Sequence, residues 1–363
     1  MAKTHMKRSI TLRADASVGG AGLTVVDLPG RDRSLTFEHV NAAEARFLFA
    51  EIWEQKSYAR HVPSLPRKAI VVDIGANIGL FSLWCLHNFE IGALLAVEPI
   101  DRVHAVLQRN LARHRHATSL CAAAGRRCEA HPRNFTFYQD APGESTRNAE
   151  ERAAQRRRLD ASAFARRIRA ATASEQPTVE RSEDSSELAA AGSGGEQVAC
   201  SVASLRYFLS EWEPLQQKGK QMQRSDGASA HSDEGENLAK RQRRSAGHAE
   251  GAALTRVPII DLLKIDVEGD ELDVLLGIDQ VNDTWGDVNW WERIARIVVE
   301  VHDINNRLKE VVKLLKARGF EVCVDSCATD QEEEEEEEGK YVLVVPTELR
   351  LFLVSAQRTS LLS

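Results

Sequence analysis

The sequence predicts an α/β fold built on a mostly parallel, Rossmann-like sheet, and three observations carry that prediction. The first is a strand, a tight turn and a helix in immediate succession. The β-branched run Ala69 to Val72 ends in Asp73, a Gly-x-Asn-x-Gly turn follows at Gly75 to Gly79, and an apolar helix pattern begins at Leu80. The second is a pair of near-continuous apolar runs, Ile259 to Ile265 and Ile297 to Val301, which suit strands buried on both faces. The third is the interleaving of such runs with amphipathic helix patterns, as in a sheet covered by helices.

Composition sets the limits. Of 363 residues 43% are hydrophobic, slightly low for a wholly folded chain of this length, so part of it is expected to be disordered. A net charge of -7 and a pI near 5.9 argue against a general nucleic-acid-binding surface. The six cysteines (Cys85, Cys121, Cys128, Cys200, Cys323, Cys327) form no CxxC pair and read as reduced thiols, hence an intracellular, cytoplasmic protein, with nuclear and organellar addresses left open. No run of 18 apolar residues is present, so no membrane span is expected. The basic opening MAKTHMKRSITLRADA lacks the apolar centre of a secretory signal.

Taken in order, residues 1–40 form an N-terminal extension with short runs (Ile10 to Arg13, Leu23 to Val26, Leu35 to Phe37) that suit edge strands. A helix is expected from Asn41 as N-cap to about Lys56, with Glu44 as capping-box partner and Ala45, Leu48, Phe49 and Ile52 inward. It delivers Tyr58, which either packs or contacts substrate. After the Gly-x-Asn-x-Gly turn, Ala93 to Val97 reads as the second strand and ends in Glu98, 19 residues after Gly79, where nucleotide-binding units place a carboxylate on ribose hydroxyls. Arg102 to His114 is a helix with Val103, Val106, Leu107 and Leu111 inward; strands near Thr118 to Ala122 and Asn134 to Tyr138 follow, then the turn 141–146. In that turn Ser145 and Thr146 either bind a ligand or close the turn.

Composition then shifts. Segments 149–195 and 216–253, polar and poor in large apolar residues, are expected to be disordered inserts, and Lys240 to Arg244 in the second reads as a solvated loop more than as a nucleic-acid patch. Between them Gln197 to Val202 is a strand and Leu205 to Trp212 a helix. After the buried strands at 259–265 and 297–301, Asn306 to Arg318 is a helix capped by Gly319. Phe320 to Val324 and Tyr341 to Val345 are expected to close the sheet as an antiparallel hairpin around an acidic loop, 330–339, that carries Glu332 to Glu338. The folded domain is therefore placed at 41–348, with 349–363 as a tail.

The choice of cofactor rests on charge. In G-x-G-x-x-G the second and third glycines let a pyrophosphate approach the backbone, but here Asn77 and Leu80 occupy those positions. Asp73, Glu98, Asp266, Glu268 and Glu300 each sit at or just past the end of an apolar run, and in a parallel sheet those ends meet at one crevice. Such carboxylates repel a pyrophosphate and suit a sulfonium cation, an amino group and ribose hydroxyls, which points to S-adenosylmethionine.

With these residues in place, the chain resembles the FkbM family of S-adenosylmethionine-dependent methyltransferases. The resemblance is carried by EARFLFAEIWEQKSY at 44–58, VVDIGANIGLFS at 71–82, AVEP at 96–99, TFYQDAPGEST at 136–146, IDLLKIDVEGDELDVLLGI at 260–278 and VVEVHD at 298–303. It implies a class I methyltransferase sheet of seven strands, mostly parallel, with a last antiparallel strand. It also implies that Asp73, Gly75, Asn77 and Gly79 surround the methionine part of the cofactor while Glu98 holds its ribose. The inserts after APGEST and before the strand at 259 are departures from the family pattern.

The expected function is O-methylation of a hydroxyl on a small molecule or sugar. Methyl transfer asks the protein to align the nucleophile, exclude water and accept a proton. Asp266 and His302 are the candidates for base or substrate orientation, with Glu268 and Glu300 sharing that task or binding a divalent metal; each also has a plain structural reading. Two rivals remain at this stage: a non-catalytic interaction protein that keeps the fold, and a nicotinamide-dependent oxidoreductase, which Asn77 and the carboxylates disfavour.

Overall fold

The structure, a computed structural model, describes residues 15–18, 21–27, 34–139, 141–153, 195–212, 258–279, 288–326 and 351–361. The run Ile10 to Arg13, the basic run at 240–244, the acidic run at 332–338, the strand expected at 341–345 and nearly all of both polar segments lie outside the described residues.

Three antiparallel strands, β1 (Asp15–Val18), β2 (Ala21–Asp27) and β3 (Ser34–His39), form a small meander in the expected N-terminal extension. It is fastened to the main body through Asn110, whose Nδ2 donates to the Glu38 and Ile78 carbonyls at 3.0 and 2.7 Å and whose Oδ1 accepts from Glu38 N. Helix α1 (Ala42–Phe49) follows, with the Asn41 side chain accepting from Ala43 N and Glu44 N as a true N-cap. The helix does not run on regularly to Lys56. From Ala50 to Glu54 it widens into a π-helical turn.

The main sheet has seven strands. In chain order these are β4 (Ala69–Ile74), β5 (Ile91–Glu98), β6 (Ala117–Cys121), β11 (Leu262–Ile265), β12 (Arg296–His302), β13 (Glu321–Ser326) and β14 (Leu351–Gln357). In space they lie β13-β14-β12-β11-β4-β5-β6, and only β14 runs antiparallel to its neighbours. The expected α/β class, the seven-stranded sheet and the closing antiparallel hairpin are all present. The hairpin's second strand, however, is Leu351–Gln357, which had been assigned to a tail, so the folded domain extends past residue 348 to Gln357. The apolar run LFLV carries the reason: the strand lies between β12 and β13, with Leu353 buried on one face of the sheet and Val354 and Ala356 on the other.

Helices cover both faces. On one face lie α2 (Leu80–Asn88) and α3 (Asp101–Leu111), with Val103, Val106, Leu107 and Leu111 inward as the periodicity requires. On the other face lie α4 (Leu205–Glu211), α5 (Glu271–Leu276) and α6 (Arg307–Ala317), joined by Trp290 and Trp291. All six side chains of β4 are buried, which accounts for its unbroken apolar run apart from Asp73. Truncating a core residue such as Leu95 to Ala is expected to cost ~2–5 kcal/mol in lost contact and cavity. Smaller pairs complete the fold: β7 (Ala123–Gly125) with β10 (Val202–Ser204), and β8 (Arg133–Phe137) with β9 (Glu196–Cys200). Among the described residues no helix is long and apolar enough to cross a membrane.

The strand order reverses between β4 and β11, and ligands in open α/β sheets bind outside the strand ends at such a point. Register makes that edge level. Ile74 stands opposite Val97 on one side and Ile265 on the other, so Gly75, Glu98 and Asp266 leave the sheet together.

Candidate functional site

The turn after β4 is built from backbone shapes that its sequence allows. Gly75, Asn77 and Gly79 have φ of 73°, 48° and 90°, a left-handed region open to glycine and tolerated by asparagine. At Gly75 space adds to conformation, since a Cβ there would lie 1.7 Å from the Asp266 carbonyl oxygen. The turn holds Glu98 in place. Asn77 N and Ile100 N donate to its two carboxylate oxygens at 3.0 Å each. Burial outweighs those donors and pushes the Glu98 carboxyl up to about 7. Beside it, Asn77 Oδ1 is a buried acceptor with no hydrogen-bond partner among the described residues.

Under the turn sits Lys264, the one charged residue in β11. Its Nζ donates to Gly75 O at 2.8 Å and stands 3.2 Å from both Asp73 Oδ1 and Asp266 Oδ2. Burial by itself would lower the ammonium pKa, but the Asp266 and Asp73 carboxylates overcome that and raise it. Asp73 is wholly buried and also accepts from Ser82 Oγ at 2.7 Å. It supports the turn from beneath and is not among the residues that line the cavity. Gly79 likewise shapes the start of α2 without facing the cavity.

A cavity of about 550 Å³ opens at this edge. Of the expected site residues, Gly75, Asn77, Glu98 and Asp266 line it from the sheet side, and Tyr58, Glu268, Glu300 and His302 line the rest, with Ser145 at the margin. Tyr58 is buried against Phe81, ring centroids 4.8 Å apart. Ser145 Oγ donates to Pro142 O at 2.6 Å, closing its own turn. Thr146 does not reach the cavity: its hydroxyl donates to Glu268 O at 2.7 Å and accepts from Asn148 N, so its role is to fix the Glu268 turn.

His302 is held at both ring nitrogens. Its Nδ1 lies 2.7 Å from Glu271 Oε1 and its Nε2 3.1 Å from Glu268 Oε2. Burial would lower the imidazole pKa, but Glu268 and Glu271 raise it well above the usual value. With a carboxylate at each ring nitrogen, the imidazole is held in place beside Glu268 and leaves neither nitrogen open to the cavity. Glu300 is pushed well above the usual carboxyl range by burial and by the nearby Asp266 and Glu51 carboxylates. Among the described residues no three His, Cys, Asp or Glu side chains meet as a metal site, so the alternative of a divalent ion on Glu268 and Glu300 finds no support in the geometry.

Four residues at the cavity were not placed there from sequence. Glu44 does not close a capping box; its Oε1 accepts from Gly143 N, drawing the 141–146 turn onto α1, and burial raises it to about 7. Glu51 arrives from the π-helical turn. Lys264 was legible in part, because a lone lysine inside a buried apolar run must find partners. Arg152 lies on a helical turn at 149–153, within the segment assigned to a disordered insert, and pairs with Glu144 at 2.5 Å and Glu268 at 3.8 Å.

The sequence profile of the Methyltransferase FkbM domain matches residues 214–322. The 31-O-demethyl-FK506 methyltransferase FkbM of Streptomyces tacrolimicus is 31% identical over 292 residues, 80% of this chain and 87% of that protein. The chain belongs to the FkbM methyltransferase family. A second relative, the methyltransferase sdnD of Sordaria araneosa, is 27% identical over 80% of this chain and 88% of its own. Among solved structures, a precorrin-6y C5,15-methyltransferase from Geobacter metallireducens aligns at 10% identity and a TM-score of 0.32, over 84% of this chain and 88% of that one. The fold of this FkbM methyltransferase rests on its own strand order.

Proposed function

We propose that this FkbM-family methyltransferase takes its methyl group from S-adenosylmethionine and places it on a hydroxyl oxygen of a small molecule or sugar. The observation that carries the reading is the pairing, at one sheet edge, of a backbone-anchored Glu98 carboxylate with the unpartnered Asn77 acceptor above a cavity large enough for a nucleoside cofactor. The donor set fits the group. Glu98 keeps lone pairs free for ribose hydroxyls, Asn77 Oδ1 offers an acceptor to an N–H or O–H, and Gly75 and Gly79 keep the turn narrow. Bound there, S-adenosylmethionine supplies a methyl carbon activated by its sulfonium.

The charge around the cavity supports a cation and opposes a pyrophosphate. Glu268 and Asp266 line it together with Glu44, Glu51 and Glu98, which ionise as pH rises through about 7, whereas its Lys264 and Arg152 cations are held by carboxylates of the protein. The protein's own part in the reaction is to orient the acceptor, exclude water and take a proton. Phe47, 46% exposed at the cavity rim, and Tyr58 within it give an apolar flank for the acceptor's carbon skeleton. Oxygen as the target follows the S. tacrolimicus relative, which is named for a 31-O-demethyl acceptor.

The test is transfer from methyl-labelled S-adenosylmethionine to 31-O-demethyl-FK506, to a panel of cyclic diols and sugars, and to a small-molecule cell extract. Label in a base-stable methyl ether is expected. Label found only in amines or in base-labile esters would overturn the oxygen assignment.

A further inference from the structure

The reaction proposed above leaves the acceptor's proton without a destination. The expected bases are both engaged: His302 meets a carboxylate at each ring nitrogen, and the Asp266 carboxylate is shared with the Lys264 ammonium. Glu51 is placed differently. It lies on the five-residue π-helical turn Ala50–Glu54, closed by Gln55 N donating to Ala50 O at 2.9 Å, and its side chain lines the cavity. Among the described residues its carboxylate makes no hydrogen bond and no ion pair. Glu51 lies on the same helical stripe as Glu44 and Leu48, which also line the cavity, and π-helical widenings of this kind are frequent at functional sites.

We infer that Glu51 is the catalytic base that takes the proton from the acceptor hydroxyl, with Tyr58 and Glu300 beside it in the acceptor subsite. The inference rests on the S-adenosylmethionine-dependent O-methylation proposed above. In the step, a lone pair of the acceptor oxygen forms the new O–CH3 bond, the S–CH3 pair returns to sulfur, and the O–H proton passes to the Glu51 carboxylate. A sulfonium cation, a neutral alcohol and a carboxylate become a neutral thioether, a neutral ether and a neutral carboxylic acid, so atoms and charge balance.

The surroundings tune Glu51 for this. Burial, then the Asp266 charge, raise its carboxyl to about 7, with Lys264 opposing. Glu300 and Tyr58 are the other titratable groups that feel it. A base with that proton affinity is half ionised near neutral pH and accepts a proton in the transition state more readily than an ordinary glutamate.

The experiment follows the Glu51 carboxyl by NMR of carbon-labelled glutamate in the full chain, identified as the resonance lost in both Glu51→Gln and Glu51→Asp. Its titration midpoint is measured with the cationic S-adenosylmethionine bound and with the neutral S-adenosylhomocysteine bound. A base facing the reacting sulfur has a lower midpoint with the sulfonium, by about one pH unit or more. Equal midpoints with both ligands bound would overturn the inference while leaving the cofactor assignment intact. If neither ligand binds, the cofactor assignment falls and the role of Glu51 falls with it.

Discussion

The Lys264 ammonium stands 3.2 Å from the Asp266 carboxylate, at the level where β4 and β11 leave the sheet. With Asp73 at the same distance on its other side, it ties the two strand ends flanking the switch point and, through Gly75 O, the turn between them. Breaking one partner of a buried ion group leaves an uncompensated charge and costs ~3–5 kcal/mol. Lys264→Met is expected to lose about that much in urea unfolding. A loss below about 1 kcal/mol would show that the group does not hold the turn.

Glu98 provides a separable test of cofactor binding. Replacing it by glutamine keeps the shape but removes the charge-assisted acceptors, each such bond being worth ~1.5–3 kcal/mol. Glu98→Gln is expected to weaken S-adenosylmethionine binding by about ten- to a hundredfold in calorimetry. An unchanged affinity would remove Glu98 from the binding site.

At Gly75 both φ and space exclude a side chain. Gly75→Ala must displace the Asp266 carbonyl and adopt a left-handed conformation that alone costs ~1–2 kcal/mol. The expected result is a fall in thermal stability together with loss of cofactor binding, read by calorimetry and by thermal melts. A variant with wild-type melting and binding would show that the close approach at Asp266 is not maintained.

The pH dependence follows from the buried carboxyls. Glu44, Glu51 and Glu98 are each raised from the usual 4.5 to about 7, first of all by burial. A carboxyl whose folded value lies above its unfolded value contributes stability that is fully present below about 4.5 and is lost as pH rises through about 7. The ligand-free wild type is therefore expected to lose ~1–3 kcal/mol more than Glu98→Gln across that window. Binding of the sulfonium cofactor runs the other way and strengthens as these groups ionise. Parallel stability profiles for the two proteins would contradict the shift at Glu98.

Much of this was legible in the sequence, for definable reasons. The buried strands announced themselves by continuous apolar runs, and Glu98 and Asp266 by standing at the ends of those runs. Glu51 was hidden because a glutamate on the flank of a helix reads as solvated, although it lies two turns from Glu44 on a stripe that also faces the cavity. For His302 the sequence left base, orienting and structural roles open, and Glu271, buried at the start of α5, has no signature that marks it as its partner. Arg152 was masked by the polar composition that begins around it. The strand Leu351–Gln357 lost out to Tyr341 to Val345 because both segments are short apolar runs and the sequence does not say which one pairs with β12.

The central claim is that the turn at Gly75 to Gly79, Glu98 and the cavity they border form a site for S-adenosylmethionine. Its most direct test is calorimetric titration of the full chain with S-adenosylmethionine and, separately, with NAD. The account predicts saturable binding of S-adenosylmethionine at one site per chain, weakened in Glu98→Gln, and no binding of NAD. Saturable NAD binding with no response to S-adenosylmethionine would contradict it.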